Sequence, residues 1–149
     1  MKKLGFQLFA ILCLLLLPGS ALVFGQNPTT LRVNIPFQFV IDRTTLPAGE
    51  YVVVHLSPDS PDVLRIESLD GRTSAFIDAE VPLGGLRFPE KSKLVFNQYG
   101  DSYFLSQIWT VGDPVGRKVL PSHLERELAL KLEASNKGMK PETVMVSGQ

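Results

Sequence analysis

Between Leu64 and Ile77 the residues alternate in character on both sides of Asp70-Gly71. That pattern commits the chain to an antiparallel hairpin. Counting outward from the Asp-Gly pair, Ile66 faces Ala75 and Leu64 faces Ile77 on one side. On the other side Glu67 meets Ser74 and Arg65 meets Phe76, with Asp78 diagonal to Arg65. A slip of one residue would exchange the two faces, so the register is strongly specified. Asp70-Gly71 itself reads as a two-residue type I′ turn.

The same period of two runs through Leu31, Val33, Ile35, Phe37, Phe39 and Ile41, the mark of a half-buried strand. Pro36 interrupts its other face and marks an edge strand or a bulge, because proline donates nothing to a ladder. Residues 42–49 read as a connector with a turn at Pro47, and Tyr51 to Leu56 as a second, Val-rich strand. The tandem Ser57-Pro58-Asp59 and Ser60-Pro61-Asp62 reads as a loop. From Pro82 to Ser92 the pattern stops, which predicts a long Gly- and Pro-containing loop. A second hairpin follows: Lys93–Tyr99, a Gly100-Asp101 turn of type II′, and Ser102–Val111. Simple alternation groups Leu94, Phe96, Leu105 and Trp109 on one face, and Val95, Phe104 and Ile108 on the other. Both faces are apolar, so both need cover.

Pro121-Ser122 opens a helix predicted over 122–134, with Ser122 and Glu125 spaced as a capping box. Leu124, Leu128 and Leu132 form a narrow stripe that would supply the cover. The predicted fold is mainly β: one small antiparallel β-sandwich or partly open barrel of six or seven strands, with one C-terminal α-helix. Residues 26–135 form the domain, and 136–149, polar with Gly138 and Pro141, read as a flexible tail.

Residues 1–25 read as a signal peptide. Lys2 and Lys3 precede an apolar run from Leu8 to Leu17, Pro18-Gly19-Ser20 ends it, and small residues lead to a cut before Gln26, or before Leu22. The run is shorter than the roughly 20 residues a membrane span needs. The expected location is therefore exported, periplasmic or extracellular, with no membrane span after cleavage. The only cysteine, Cys13, lies in this segment. The processed chain would have no thiol, which removes disulfides, Cys-ligated metal sites and thiol nucleophiles. The near-balanced charge and lack of a basic run argue against nucleic acid as a partner.

No residue pattern identifies a reaction, so no catalytic, metal or cofactor site is expected. His55 and His123 stand apart in sequence and read as packed or solvent-facing imidazoles. Asp78 and Glu80 alternate on one strand about 7 Å apart, in the range of an acid–base carboxylate pair. The favoured reading is the wet face of a hairpin with Arg65 nearby, since nothing around them is recognisably built to raise a pKa. Tyr99, Tyr103 and Trp109 are the ligand-binding candidates, which would stack on sugar rings, but core packing is the favoured reading because large aromatics anchor small β cores. Leu83, Leu86 and Phe88 are partner-contact candidates on the 82–92 loop, or else a lid folded back over the domain.

Four short pieces carry a resemblance: Ile35-Pro36-Phe37-Gln38-Phe39, Leu46-Pro47-Ala48-Gly49-Glu50-Tyr51, Phe104-Leu105-Ser106-Gln107-Ile108-Trp109 and Ser122-His123-Leu124-Glu125-Arg126-Glu127-Leu128. On them the chain resembles a set of small exported bacterial β-domain proteins with no assigned activity. The resemblance implies a shared β fold with a terminal helix and brings no catalytic residues. The expected role is a non-enzymatic exported domain that acts by contact with a protein or envelope component. A glycan-binding module is the alternative, and a hydrolase using Asp78 and Glu80 ranks last.

Overall fold

The period-two segments are strands, and they form two sheets with one core between them. A computed structural model describes residues 29–57, 60–79, 81–84, 88–135 and 140–148. The strands are β1 (Thr29–Ile35), β2 (Phe39–Ile41), β3 (Thr44–Leu46), β4 (Gly49–Ser57), β5 (Ser60–Ser68), β6 (Ser74–Asp78), β7 (Val81–Gly84), β8 (Lys93–Tyr99), β9 (Ser102–Trp109), β10 (Val115–Lys118) and β11 (Glu142–Ser147). The helix α1 (His123–Ala134) lies between β10 and β11. One sheet has the order β1-β4-β5-β6. The other runs β11-β8-β9-β10-β7, with the β2–β3 hairpin joined to β9 by one parallel pair, Val40 with Phe104. The fold is mainly β with a single helix among the described residues, as the alternation predicts.

Pro36 is where the predicted first strand divides. β1 ends at Ile35 in the first sheet and β2 starts at Phe39 in the second. A residue without a backbone donor ends the ladder, and the chain crosses between sheets there. The period of two survives the crossing. Leu31, Val33 and Ile35 enter the core from one side and Phe39 and Ile41 from the other, and all five are buried. Tyr51 is buried among them, its hydroxyl donating to the Pro47 carbonyl at 2.7 Å, which satisfies the one polar atom it brings inside.

The β5–β6 register is the predicted one, with Leu64 on Ile77, Arg65 on Phe76, Ile66 on Ala75 and Glu67 on Ser74. The turn differs. Type I′ needs positive φ at both central residues, and here Gly71 has φ 70° while Asp70 does not share that conformation. Instead the Gly71 N–H donates to the Ser68 carbonyl at 2.9 Å and the Ser68 N–H to the Thr73 carbonyl at 2.9 Å. That is a four-residue loop, Leu69–Arg72, built on a tight turn. The Asp70 carboxylate steadies it by accepting from the Ser68 hydroxyl at 2.6 Å and the Arg72 N–H at 3.1 Å.

β8 and β9 also pair as predicted through a Gly100-Asp101 turn, with Gly100 at φ 60°. Their faces do not follow simple alternation, because the register shifts between Val95 and Phe96. Val95 pairs with Gln107 and Phe96 with Leu105, leaving Ser106 as an extra residue in β9, a β-bulge. Beyond it the faces exchange. Ile108 joins Leu94, Phe96 and Leu105 in the core, and Trp109 turns to the opposite face with Val95 and Phe104.

Several predicted boundaries are corrected. Strands β5 and β7 occupy parts of the 60–62 and 82–92 segments read as loops. The described residues hold eleven strands where six or seven were expected, because strands of three or four residues are too short to reveal a period. The largest correction is at the C-terminus. Residues 142–147, read as part of a flexible tail, are β11, paired along its whole length with β8. Val144 and Val146 pack on the core, and the Gly148 N–H donates to the Ser92 carbonyl at 2.7 Å. Gly148 also bridges Val33 of β1, so the strand ties both sheets together. The helix is therefore not the last element.

Candidate functional site

The inward register of Leu64, Ile66, Ala75 and Ile77 forces Phe76 outward, onto the solvent face of the first sheet. Its side chain is 68% exposed. Phe76 lines an open cleft of about 1040 Å³ together with Val63 of β5, the β2–β3 turn at Asp42-Arg43, and the segment from Val119 to Leu124 with Arg126. Four large apolar side chains of this wall are exposed: Val63, Phe76, Leu120 and Leu124.

The sequence positions each wall locally. Asp42 sits at φ 50° in the two-residue turn between Ile41 and Thr44, a left-handed conformation that aspartate tolerates better than most residues. Ser122 caps α1, its hydroxyl accepting from the Glu125 N–H at 3.0 Å. That cap fixes the first turn of the helix, and with it the His123, Leu124 and Arg126 side chains that line the cleft.

The opposite side of the same helical turn does different work. Glu125 is 3% exposed and is the buried residue of the helix. Its carboxylate accepts from Asn97 Nδ2 at 2.7 Å, from the Ser122 backbone N–H and from the Tyr99 hydroxyl. The Ser122 contact closes the predicted capping box in both directions. Burial pushes the Glu125 carboxyl above its ordinary value, against the three donors, which pull it down. Burial, and then the negative charge of Glu125 and Glu133, push the Tyr99 phenol upward. The helix is thus anchored to β8 by a buried carboxylate, with Leu128 and Leu132 half-buried behind it. Leu124, expected in the covering stripe, is exposed and faces the cleft instead. A glutamate at the predicted capping position concealed this anchor, since its spacing was already explained.

The sequence-predicted candidates do not converge. Tyr99 is tied to Glu125 and sets its ring edge-on to Phe104, 6.0 Å between centroids. Tyr103 lies on the core side of the hairpin, stacked on Phe37 at 3.9 Å. Trp109 lies on the other face, so the bulge separates two rings that simple alternation would put on one face. The Trp109 indole rests on Gly116, where a Cβ would come within 2.7 Å of the ring, and its Nε1 donates to Gln107 Oε1 at 2.8 Å. Leu83 is half-buried in β7, Phe88 is exposed, and Leu86 lies outside the described residues. Asp78 lines the cleft, and its proposed partner Glu80 lies outside the described residues.

The cleft leaves one signal in the sequence. Phe76 stands, with Val63, on the otherwise polar face of a regular hairpin. No family model, no curated protein and no solved structure matches this chain.

Proposed function

We propose that this chain is an exported, non-enzymatic β domain that acts by contact, and that the cleft between Phe76 and Leu124 is its contact surface. The observation that carries the reading is the gathering of Val63, Phe76, Leu120 and Leu124, all exposed, around one concavity. Apolar side chains left in water cost free energy, and a cluster of them rimmed by charge marks an interaction site. The rim here carries Asp42, Arg43, Asp78, His123 and Arg126. Export rests on the order of Lys2/Lys3, the apolar run and the small residues before Gln26.

A photo-crosslinking residue in place of Leu124 in the exported protein tests the contact reading. A residue in place of Leu130, more exposed on the helix than Leu124 but not part of the cleft, is the control. Discrete adducts from position 124 and none from 130 are expected; equal labelling would remove the cleft from this account. Mass spectrometry of the same exported protein should find a mature terminus at Gln26.

A further inference from the structure

Three consecutive residues of β6, Phe76, Ile77 and Asp78, all line the cleft. Successive side chains of a strand point to opposite faces, so a space that touches all three runs along the edge of the strand and not over one face. That edge is unpaired. β6 ends the order β1-β4-β5-β6 and has no second strand neighbour among the described residues.

The direction of its free backbone groups follows from the ladder on its other side. The Ser68 N–H donates to the Thr73 carbonyl and the Ala79 N–H to the Asp62 carbonyl. Both pairs share the β5–β6 register, so residues 73, 75, 77 and 79 turn their backbone toward β5. Ser74, Phe76 and Asp78 therefore turn their N–H and C=O groups outward, toward the cleft. Natural edge strands are commonly blunted with lysine, proline or a bulge. β6, Ser-Ala-Phe-Ile-Asp, has none of these and presents an exposed phenylalanine.

We infer that the cleft takes an extended polypeptide segment of a partner protein, which adds to the free edge of β6 as a fifth strand of the four-stranded sheet. The inference rests on the cleft being the contact surface and names what that surface binds. A row of alternating donors and acceptors is complemented by another backbone in the extended state, and side chains then set specificity through pockets at alternate positions. Here the segment would set apolar side chains against Phe76 and Val63 on the outer face and toward Leu120 and Leu124 across the cleft. The rim offers both signs of charge. Arg43 and Arg126, and likewise Asp42 and Asp78, have no ion-pair partner among the described residues, so an acidic and a basic side chain flanking the apolar positions complete the fit. A lone segment suits the space better than a second whole copy. The β2–β3 turn and the Val119–Leu124 segment wall the far side, and a second copy would have to bring its own β5 in behind its β6.

A peptide copying residues 72–79 of the chain is a usable probe. Paired antiparallel about Phe76, it sets Ala75 against Ile77 on the inner face, Phe76 against Phe76, and Ser74 against Asp78, with no like charges opposed. Two isomers of it separate backbone pairing from apolar contact. One is N-methylated at the copies of Ser74 and Phe76, whose N–H groups would point at β6. The other is methylated at the copies of Ala75 and Ile77, which would point away. Binding to the purified protein is followed by fluorescence anisotropy, and amide exchange by NMR. The first isomer should bind at least tenfold more weakly than the unmodified peptide and the second about equally, with the Phe76 and Asp78 amides of the protein protected from exchange. Equal binding by all three peptides, with shifts at Phe76 and Leu124, would overturn strand addition while keeping the cleft as a contact surface. Binding by none of them would overturn strand addition and leave the cleft to be judged by crosslinking at Leu124. A concentration-dependent dimer with those amides protected without peptide would show that a second copy is the occupant, and would overturn the partner segment.

Discussion

The β5–β6 and β8–β9 hairpins are built alike and placed differently. β8–β9 lies in the middle of its sheet, between β11 and β10, with one face on the core and the other reached by α1. β5–β6 lies at the end of its sheet, with one face on the core and the other in water. The same kind of residue therefore has opposite consequences in the two. Phe96 on β8 is fully buried and meets Phe37 and Phe39 edge-on, at 5.2 and 5.5 Å. Phe76 on β6 packs on nothing comparable. Position in the sheet, more than side-chain type, decides whether an aromatic here stabilises the fold or is free to bind.

The sharpest way to break this comparison is to truncate both rings. Phe96→Ala should cost about 3–5 kcal/mol, because it removes a buried ring and leaves a cavity in the core. Phe76→Ala should change stability by no more than about 0.5 kcal/mol, as surface substitutions do. Denaturant unfolding of the two variants measures both. Comparable losses would mean that Phe76 is packed and the cleft closed.

Next in size is Gly116→Val. A Cβ at Gly116 would lie 2.7 Å from three carbons of the Trp109 indole, so the ring must move or the strands part. A cost of about 1–3 kcal/mol is expected, as for other overpacked sites, with a shift of tryptophan emission toward that of exposed indole. Gly84→Ala, on the neighbouring edge strand with open space around it, should be near neutral by the same assay. Gly71→Ala follows at about 1–2 kcal/mol. Nothing crowds that position, and the cost is the left-handed backbone at φ 70° alone.

The contrast also explains what could be read from sequence. The β5–β6 register was legible to the residue because its two faces differ in polarity, so a slip would be costly. The β8–β9 turn was equally legible, yet its faces were not. Both are apolar, and a pattern with apolar residues on both sides carries no signal of an inserted residue. The bulge at Ser106 therefore leaves no mark in the sequence, and simple alternation puts Trp109 on the wrong face. β11 was missed for another reason. Its strand, Glu-Thr-Val-Met-Val-Ser, is short and follows Gly138 and Pro141, and it is held by pairing with β8 and by the close approach of Gly148 to the Arg32 carbonyl, where a Cβ would stand 2.9 Å away. Such a contact is long-range and leaves no local mark. The cleft was half-legible: Phe76 was visible as an anomaly, but its neighbours Leu120 and Leu124 come from distant segments that only the fold brings together.

The smallest expected effect is a difference of sign in pH dependence between the two hairpins. At the β5–β6 turn, the hydrogen bond from Ser68, and then that from Arg72, hold the Asp70 carboxyl below its ordinary value. A depressed carboxyl stabilises the fold when ionised, so its contribution is present above the ordinary 3.8 and is lost as the pH falls through the lower folded value. At the cover of β8–β9, burial raises the Glu125 carboxyl above 4.5. The folded state then holds its proton more tightly than the unfolded one. Its contribution is fully present below 4.5 and declines as the pH rises through the raised folded value. Acidification should therefore loosen the Leu69–Arg72 loop and leave the docking of α1 unharmed, while a rise toward neutral pH should weaken α1 first. Tyr99→Phe removes a donor that lowers the Glu125 value, so it should carry the weakening of α1 to higher pH. Glu125→Gln should abolish that trend and leave the acid response of the turn in place, and Asp70→Asn the reverse. Amide exchange resolved by region, with the data corrected for the intrinsic pH dependence of exchange, reads the two elements separately. A common direction of response in both would mean that the carboxylate under α1 is no more buried than the one in the turn.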